Sequence, residues 1–124
     1  MKQMTRRTFF MSTAAAGLAA KSFAASPNEQ IRIGVIGCGS MGRGDVQMFQ
    51  RIANVAFPII CDVDDAQSAR LSKHLKSSTG SALEVVRDFR RVLDRKDVDI
   101  CLIATPDHWH ALPTIMACQA GKDI

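Results

Sequence analysis

Apolar residues fall along this chain in short runs separated by charged, polar or glycine-bearing stretches, and their period changes from one run to the next. Ile31-Arg32-Ile33-Gly34-Val35-Ile36 is short and β-branched, which predicts a strand. From Arg43 to Ala53 the apolar positions Val46, Phe49, Ile52 and Ala53 recur at helical spacing, so one face of a helix is expected to lie on the sheet. Val55 to Cys61 is a second apolar run, ending at Asp62. Pro58 inside it cannot donate to a sheet ladder, so either the paired strand starts at Ile59 or an edge or bulge lies there. Asp64 is placed to cap a helix over roughly Asp65 to Leu75. Leu83 to Val86 predicts a third strand, and Asp88 then caps a helix with Phe89, Val92 and Leu93 on its apolar face. Val98 to Ala104 is continuously apolar, the pattern of a strand covered on both faces. A last helix, capped by Asp107 and ended by Gly121, is expected to carry Trp109, Leu112, Ile115 and Met116 on one face. Strand, helix, strand, helix, strand, helix, strand specifies an α/β fold built on a doubly wound parallel sheet.

The chain ahead of the first strand follows a different pattern. Thr5-Arg6-Arg7-Thr8-Phe9-Phe10 sets two arginines before an Ala-rich apolar run from Phe9 to Ala20, followed by Lys21 and the small-residue site Ser22-Phe23-Ala24. This is the layout of a twin-arginine signal peptide over residues 1–24, cleaved after Ala24, and it implies a periplasmic or secreted protein. Twelve apolar residues are short of the roughly 20 that span a bilayer, so a retained membrane anchor is the weaker reading. Residues 25–30 read as a polar linker, leaving 31–124 as the folded domain.

Composition changes the picture in two places. The 124 residues suffice for one small domain. Lys2, Arg6, Arg7 and Lys21 carry the whole net charge of +4, since the rest of the chain is balanced, so no basic surface points to nucleic acid. Cys38, Cys61, Cys101 and Cys118 have no paired spacing and read as small buried hydrophobes. The charges Arg87, Arg90, Arg91, Arg95 and Lys96, alternating with Asp88, Asp94, Asp97 and Asp99, read as a solvated helix face.

The candidate chemistry begins where the first strand ends. Gly37, Gly39 and Gly42 form GxGxxG between a strand and a helix, the context that makes this motif a dinucleotide site of the Rossmann type. Gly37 makes the tight turn, Gly39 lets the backbone approach the phosphates, and Gly42 lets the helix pack on its strand, with the Ser40 and Met41 N–H groups aimed at the anion. Asp62, 20 residues after Gly42, stands where a carboxylate accepts from the adenine ribose. With Asp64 and Asp65 close by and no compensating arginine, NAD is favoured over NADP. Thr105-Pro106-Asp107-His108-Trp109-His110 leaves the fourth strand at its carboxyl end and is expected to face the same crevice. His108 and His110, two apart on a helix, point to nearly opposite sides, so no metal pair is expected.

Gly37-Cys38-Gly39-Ser40-Met41-Gly42, Cys61-Asp62-Val63-Asp64, Ala104 to His110 and Ala120-Gly121-Lys122-Asp123 together resemble the N-terminal domain of the glucose-fructose oxidoreductase and inositol dehydrogenase (Gfo/Idh/MocA) family. The resemblance implies an NAD(P)-dependent oxidoreductase acting on a sugar, polyol or related compound, and a homo-oligomer when full length. It places the pyrophosphate on Gly37, Gly39, Ser40, Met41 and Gly42, the ribose on Asp62, and the nicotinamide half beside Thr105, Pro106, Trp109 and His110. The family continues into a Glu-Lys-Pro motif and a second α/β domain that this sequence does not reach, so the chain is expected to be an inactive fragment with no catalytic residue of its own and an apolar sheet edge prone to aggregation. An exported member must keep and regenerate its cofactor, which allows a redox-neutral glycoside hydrolase or epimerase as an alternative. A noncatalytic nucleotide-binding module and an S-adenosylmethionine-binding fold are the readings from other classes.

Overall fold

The computed structural model describes residues 30–80 and 82–124. The expected signal peptide over residues 1–24 and the expected linker before Gln30 lie outside the described residues. Within them the chain alternates as expected: strand β1 (Ile31–Ile36), helix α1 (Ser40–Phe49), strand β2 (Val55–Cys61), helix α2 (Asp65–Thr79), strand β3 (Glu84–Val86), helix α3 (Arg90–Leu93), strand β4 (Ile100–Ile103), a 3-10 turn (Asp107–Trp109) and helix α4 (Ala111–Gln119). All strand pairs are parallel, in the order β3-β2-β1-β4.

Two apolar clusters, one on each face, hold the helices to this sheet. Ile33, Val35, Phe57 and Ile60 pack with Val46 of α1 and Leu71 and Leu75 of α2. Ile36, Ile59, Cys61 and Cys101 pack with Val92 and Leu93 of α3 and Ala117 of α4. Ile33, Val35, Ile59 and Ile60 are at most 1% exposed. Burial of each such side chain stabilises the fold by about 1.5–3 kcal/mol, and covering both faces explains why these runs do not alternate.

Pro58 lies at a bulge, not at a strand start. Arg32 pairs with Ala56 but Gly34 pairs with Ile59, so β2 holds one more residue than β1 across this step. The extra residue also changes which face a side chain takes: Phe57 and Ile60 share one cluster while Ile59 and Cys61 share the other. β2 therefore runs the full expected length, with its proline where the ladder is broken.

The ends of α1 and the face of α4 differ from expectation. α1 stops at Phe49, and the chain turns into β2 through Asn54 in a left-handed conformation (φ 66°), so Ile52 is outside the helix and 53% exposed. In α4 the buried residues are Pro113 and Ala117, with Met116 partly buried, whereas Trp109, Leu112 and Ile115 are exposed. The 3-10 turn before α4 shifts the helical phase, and the small Ala117 and flat Pro113 let this helix lie close to the sheet. Asp107 makes no side-chain cap there. Cys118 is exposed, unlike the other three cysteines.

Two polar devices close the open side of the sheet. Cys101 N–H donates to Asp123 O (2.8 Å) and Asp123 N–H to Asp99 O (3.0 Å), so an isolated parallel bridge covers part of the β4 edge. Lys122 Nζ donates to the carbonyls of Arg95 and Val98, both at 2.7 Å, tying the chain after α4 to the loop between α3 and β4. Among the described residues, no helix is long and apolar enough to cross a membrane.

Arg95 departs from the solvated charges around it. Its guanidinium bonds Asp97 at 2.6 and 2.8 Å and Glu84 at 2.8 Å, tying β3 to the loop before β4. These contacts, the Arg95 side-chain hydrogen bonds first among them, hold the Asp97 carboxyl below its ordinary value of 3.8. A depressed pKa in the folded state gives stability that is present above the unfolded value and lost as pH falls through the folded one. Acidifying from about pH 6 to about pH 3 is expected to lower the urea midpoint of the native chain more than that of Asp97→Asn. Parallel falls in the two proteins would remove this role from Asp97.

Candidate functional site

The carboxyl end of the sheet is built around the turn that follows β1. Gly37 has φ 99°, and a Cβ there would stand 2.6 Å from the carbonyl carbon and oxygen of Ala104. Its N–H donates to Cys61 O at 2.8 Å, so the turn is gripped by the ends of β2 and β4. A Cβ on Gly42 would overlap the Gly37 carbonyl oxygen, which lets α1 start directly behind the turn only if this residue is glycine. Gly39 is the N-cap residue of α1, with no side-chain cap bond and no acidic residue in the first turn. No protein atom lies within 4 Å of where its Cβ would be. The orphan N–H groups of the first turn thus open onto free space at the positive end of the helix dipole.

Asp62 joins this turn to the end of β2. Its Oδ2 accepts from Cys38 N–H at 2.7 Å and its Oδ1 from Asp64 N–H at 2.8 Å. Each oxygen keeps a second lone pair for a further donor. Asp64 caps α2 by accepting from Ala66 N–H at 2.8 Å, as expected. Arg43 of α1 donates to Cys38 O (3.2 Å) and Gln67 Oε1 (2.7 Å), which fastens the glycine turn to α2.

The third part of the site leaves β4. Trp109 N–H donates to Pro106 O at 2.8 Å, and His110 Nε2 donates to Thr105 O at 2.6 Å, so the loop is folded onto its own backbone. Thr105 Oγ1 is buried without a hydrogen-bond partner among the described residues, a state that costs free energy until a donor or acceptor reaches it.

These three parts enclose a cleft of about 980 Å³. Of the ten residues picked from the sequence, Gly37, Gly39, Ser40, Met41, Asp62, Thr105, Pro106 and Trp109 line it. Gly42 and His110 do not; they support the lining residues from behind. An open, uncapped helix start, a carboxylate with spare lone pairs and an unpartnered hydroxyl on one cleft fit an extended molecule with a diphosphate and sugar hydroxyls.

The loop after β3 was missed as part of the site. Arg87, Asp88, Phe89 and Arg90 all line the cleft. Asp88 accepts from Arg90 N–H (3.0 Å), which chiefly depresses its carboxyl pKa, and Arg90 lies over the Phe89 ring at 5.3 Å. The signal was available, since the rule that ligands lie outside the carboxyl ends of parallel strands applies to β3 as it does to β4.

The profile of a family described as an oxidoreductase family with an NAD-binding Rossmann fold matches residues 31–124. The chain is 33% identical over 102 residues to an alpha-N-acetylgalactosaminidase of Shewanella oneidensis, covering 76% of this chain and 21% of that protein. It is 36% identical over 104 residues to a glycosyl hydrolase family 109 protein of Solibacter usitatus, covering 79% and 24%. Among solved structures it is similar to scyllo-inositol dehydrogenase from Lactobacillus casei with bound NAD(H) and scyllo-inositol, at 26% identity and a TM-score of 0.64, over 75% of this chain and 26% of that one. The chain thus spans about a quarter of the length of the proteins it matches.

Two thiols beside the glycine turn are buried, Cys61 on the cleft lining and Cys38 outside it. Burial, followed by the nearby Asp62 carboxylate, pushes Cys38 and Cys61 up to about 12. Iodoacetamide at about pH 8 is expected to label Cys118 in the native chain and all four cysteines only after unfolding. Native labelling of Cys38 or Cys61 would show that the core beside the turn is open.

Proposed function

Because the chain belongs to the oxidoreductase family whose NAD-binding Rossmann fold its residues 31–124 match, we propose that its cleft holds NAD for an exported enzyme acting on a sugar, polyol or related compound by hydride transfer. The observation that carries this reading is the joint opening of the uncapped α1 N-terminus and the Asp62 carboxylate into one cleft. Gly37, Gly39, Ser40 and Met41 receive the pyrophosphate, with Gly42 setting the helix close behind them. Asp62 accepts from the adenine ribose hydroxyls with the lone pairs that Cys38 and Asp64 leave free. Thr105, Pro106 and Trp109 line the nicotinamide half, and His110 fixes that loop through the Thr105 carbonyl. NAD, when bound, supplies the hydride acceptor, and these residues orient it.

The reading assigns cofactor binding to these residues, and the chain spans about a quarter of the length of its relatives. A second reading is favoured by the names of the curated relatives at 32–36% identity, which are glycosyl hydrolases. In that reading the hydride removed from the sugar returns within one turnover, so a glycoside is cleaved without net accumulation of reduced nucleotide, whereas a dehydrogenase accumulates it. The family match leaves the S-adenosylmethionine alternative without support. Residues 1–24 carry the export part of the proposal, supported by Arg6-Arg7 and the apolar run behind them.

Asp62→Ala is expected to weaken NAD binding about 10-fold or more by calorimetry, the value of a charged hydrogen bond, with thermal melting checking that the turn still folds. Unchanged affinity in a folded variant would overturn the ribose assignment. Replacing Arg6 and Arg7 together by lysine is expected to leave the chain in the cytoplasmic fraction; undiminished export would remove the twin-arginine reading.

A further inference from the structure

The ribose end of the cleft holds a cation that sequence order hides. Asp62 N–H donates to Val86 O at 3.2 Å, which sets Arg87, the next residue, beside the end of β2, and Asp62 and Arg87 both line the cleft. Among the described residues two arginines line it. Arg90 is engaged with both oxygens of Asp88 at 3.2 Å and stacked on Phe89. Arg87 pairs through Nη1 with Asp65 Oδ2 at 2.7 Å, and Asp65, the first residue of α2, is outside the cleft lining.

This arrangement bears on which dinucleotide the cleft accepts. A 2′-phosphate would bring about −1.5 to −2 units of charge to a corner that already holds Asp62, Asp64 and Asp65. Repulsion disfavours it unless a guanidinium is free to pair with it through two parallel N–H bonds. We propose that Asp65 is the positioning residue of a cofactor filter: by engaging Arg87 it withholds the guanidinium that would receive a 2′-phosphate, and so adds to the preference for NAD over NADP that the carboxylates of this corner give. Arg87 and Asp65 are 66% and 76% exposed in their side chains, so the pair contributes little to stability and either partner can be replaced without disturbing the core. The sequence reading of this corner, three carboxylates and no arginine, is thereby amended: the arginine comes from the neighbouring strand's loop and is neutralised in place.

The inference rests on the dinucleotide reading above, and the test separates the two. NAD and NADP are titrated calorimetrically into the 124-residue chain and into Asp65→Asn, Arg87→Ala and the double variant, with thermal melts confirming that each is folded. Asp65→Asn is expected to bind NADP about three- to fivefold more tightly than the native chain, with NAD affinity unchanged within about twofold, and the gain is expected to vanish in the double variant. Restoring the cation as Arg87→Lys on the Asp65→Asn background is expected to recover part of the gain, because a point charge lacks the fork. An equal gain in the double variant would mean that removing a negative charge suffices, and it overturns the role of Arg87. NAD binding with NADP affinity unmoved by Asp65→Asn overturns the filter alone, and failure of every chain to bind either nucleotide overturns the dinucleotide reading with it.

Discussion

The hydrogen bond from Cys38 N–H to Asp62 Oδ2, 2.7 Å long, is the constraint on which the site depends. It joins the glycine turn after β1 to the residue that ends β2, and the second carboxylate oxygen holds Asp64 N–H, where α2 begins. One side chain therefore sets the relation between a helix start that receives anions and a carboxylate that receives hydroxyls. Arg43, bridging Cys38 O and Gln67, repeats the same tie from the helix side. The turn is held by charged hydrogen bonds at its flank and lies close against the Ala104 backbone.

Four residues before Asp62, the ladder between β1 and β2 carries a bulge. The extra residue at Pro58 moves the pairing of β2 on β1, so that Ile36 meets Cys61, Asp62 follows level with Gly37, and its carboxylate reaches on to Cys38 N–H. A regular ladder would also have put Phe57 and Ile59 on the same face; the bulge sends them to opposite clusters, and each fills the core it meets. Proline, unable to donate, occupies the position where a donor has least use.

Charge on this domain is arranged by strand order more than by chain order. β3 lies beside β2, so Arg87 reaches Asp65 and Arg95 reaches Glu84 across gaps of 22 and 11 residues. The same adjacency turns the loop after β3 into a wall of the cleft. A segment that reads as a solvated helix face by its alternating signs is partly that, in Arg91, and partly a structural node, in Arg95.

Local chemistry alone was sufficient for the element order, the glycine turn, the Asp64 cap, the left-handed stop at Gly121 and the strand-end position of Asp62, because each depends on residues within a few positions of one another. The family resemblance was likewise readable, since it is carried by short motifs at the strand ends. Where the bulge fell, which face α4 buries, that Cys118 is exposed, and that Arg87 joins Asp62 on one cleft were decided only when the sheet assembled. Helical phase is set by the turn that precedes a helix, and the neighbours of a parallel strand come from distant parts of the chain, so neither is encoded in the period of the residues themselves.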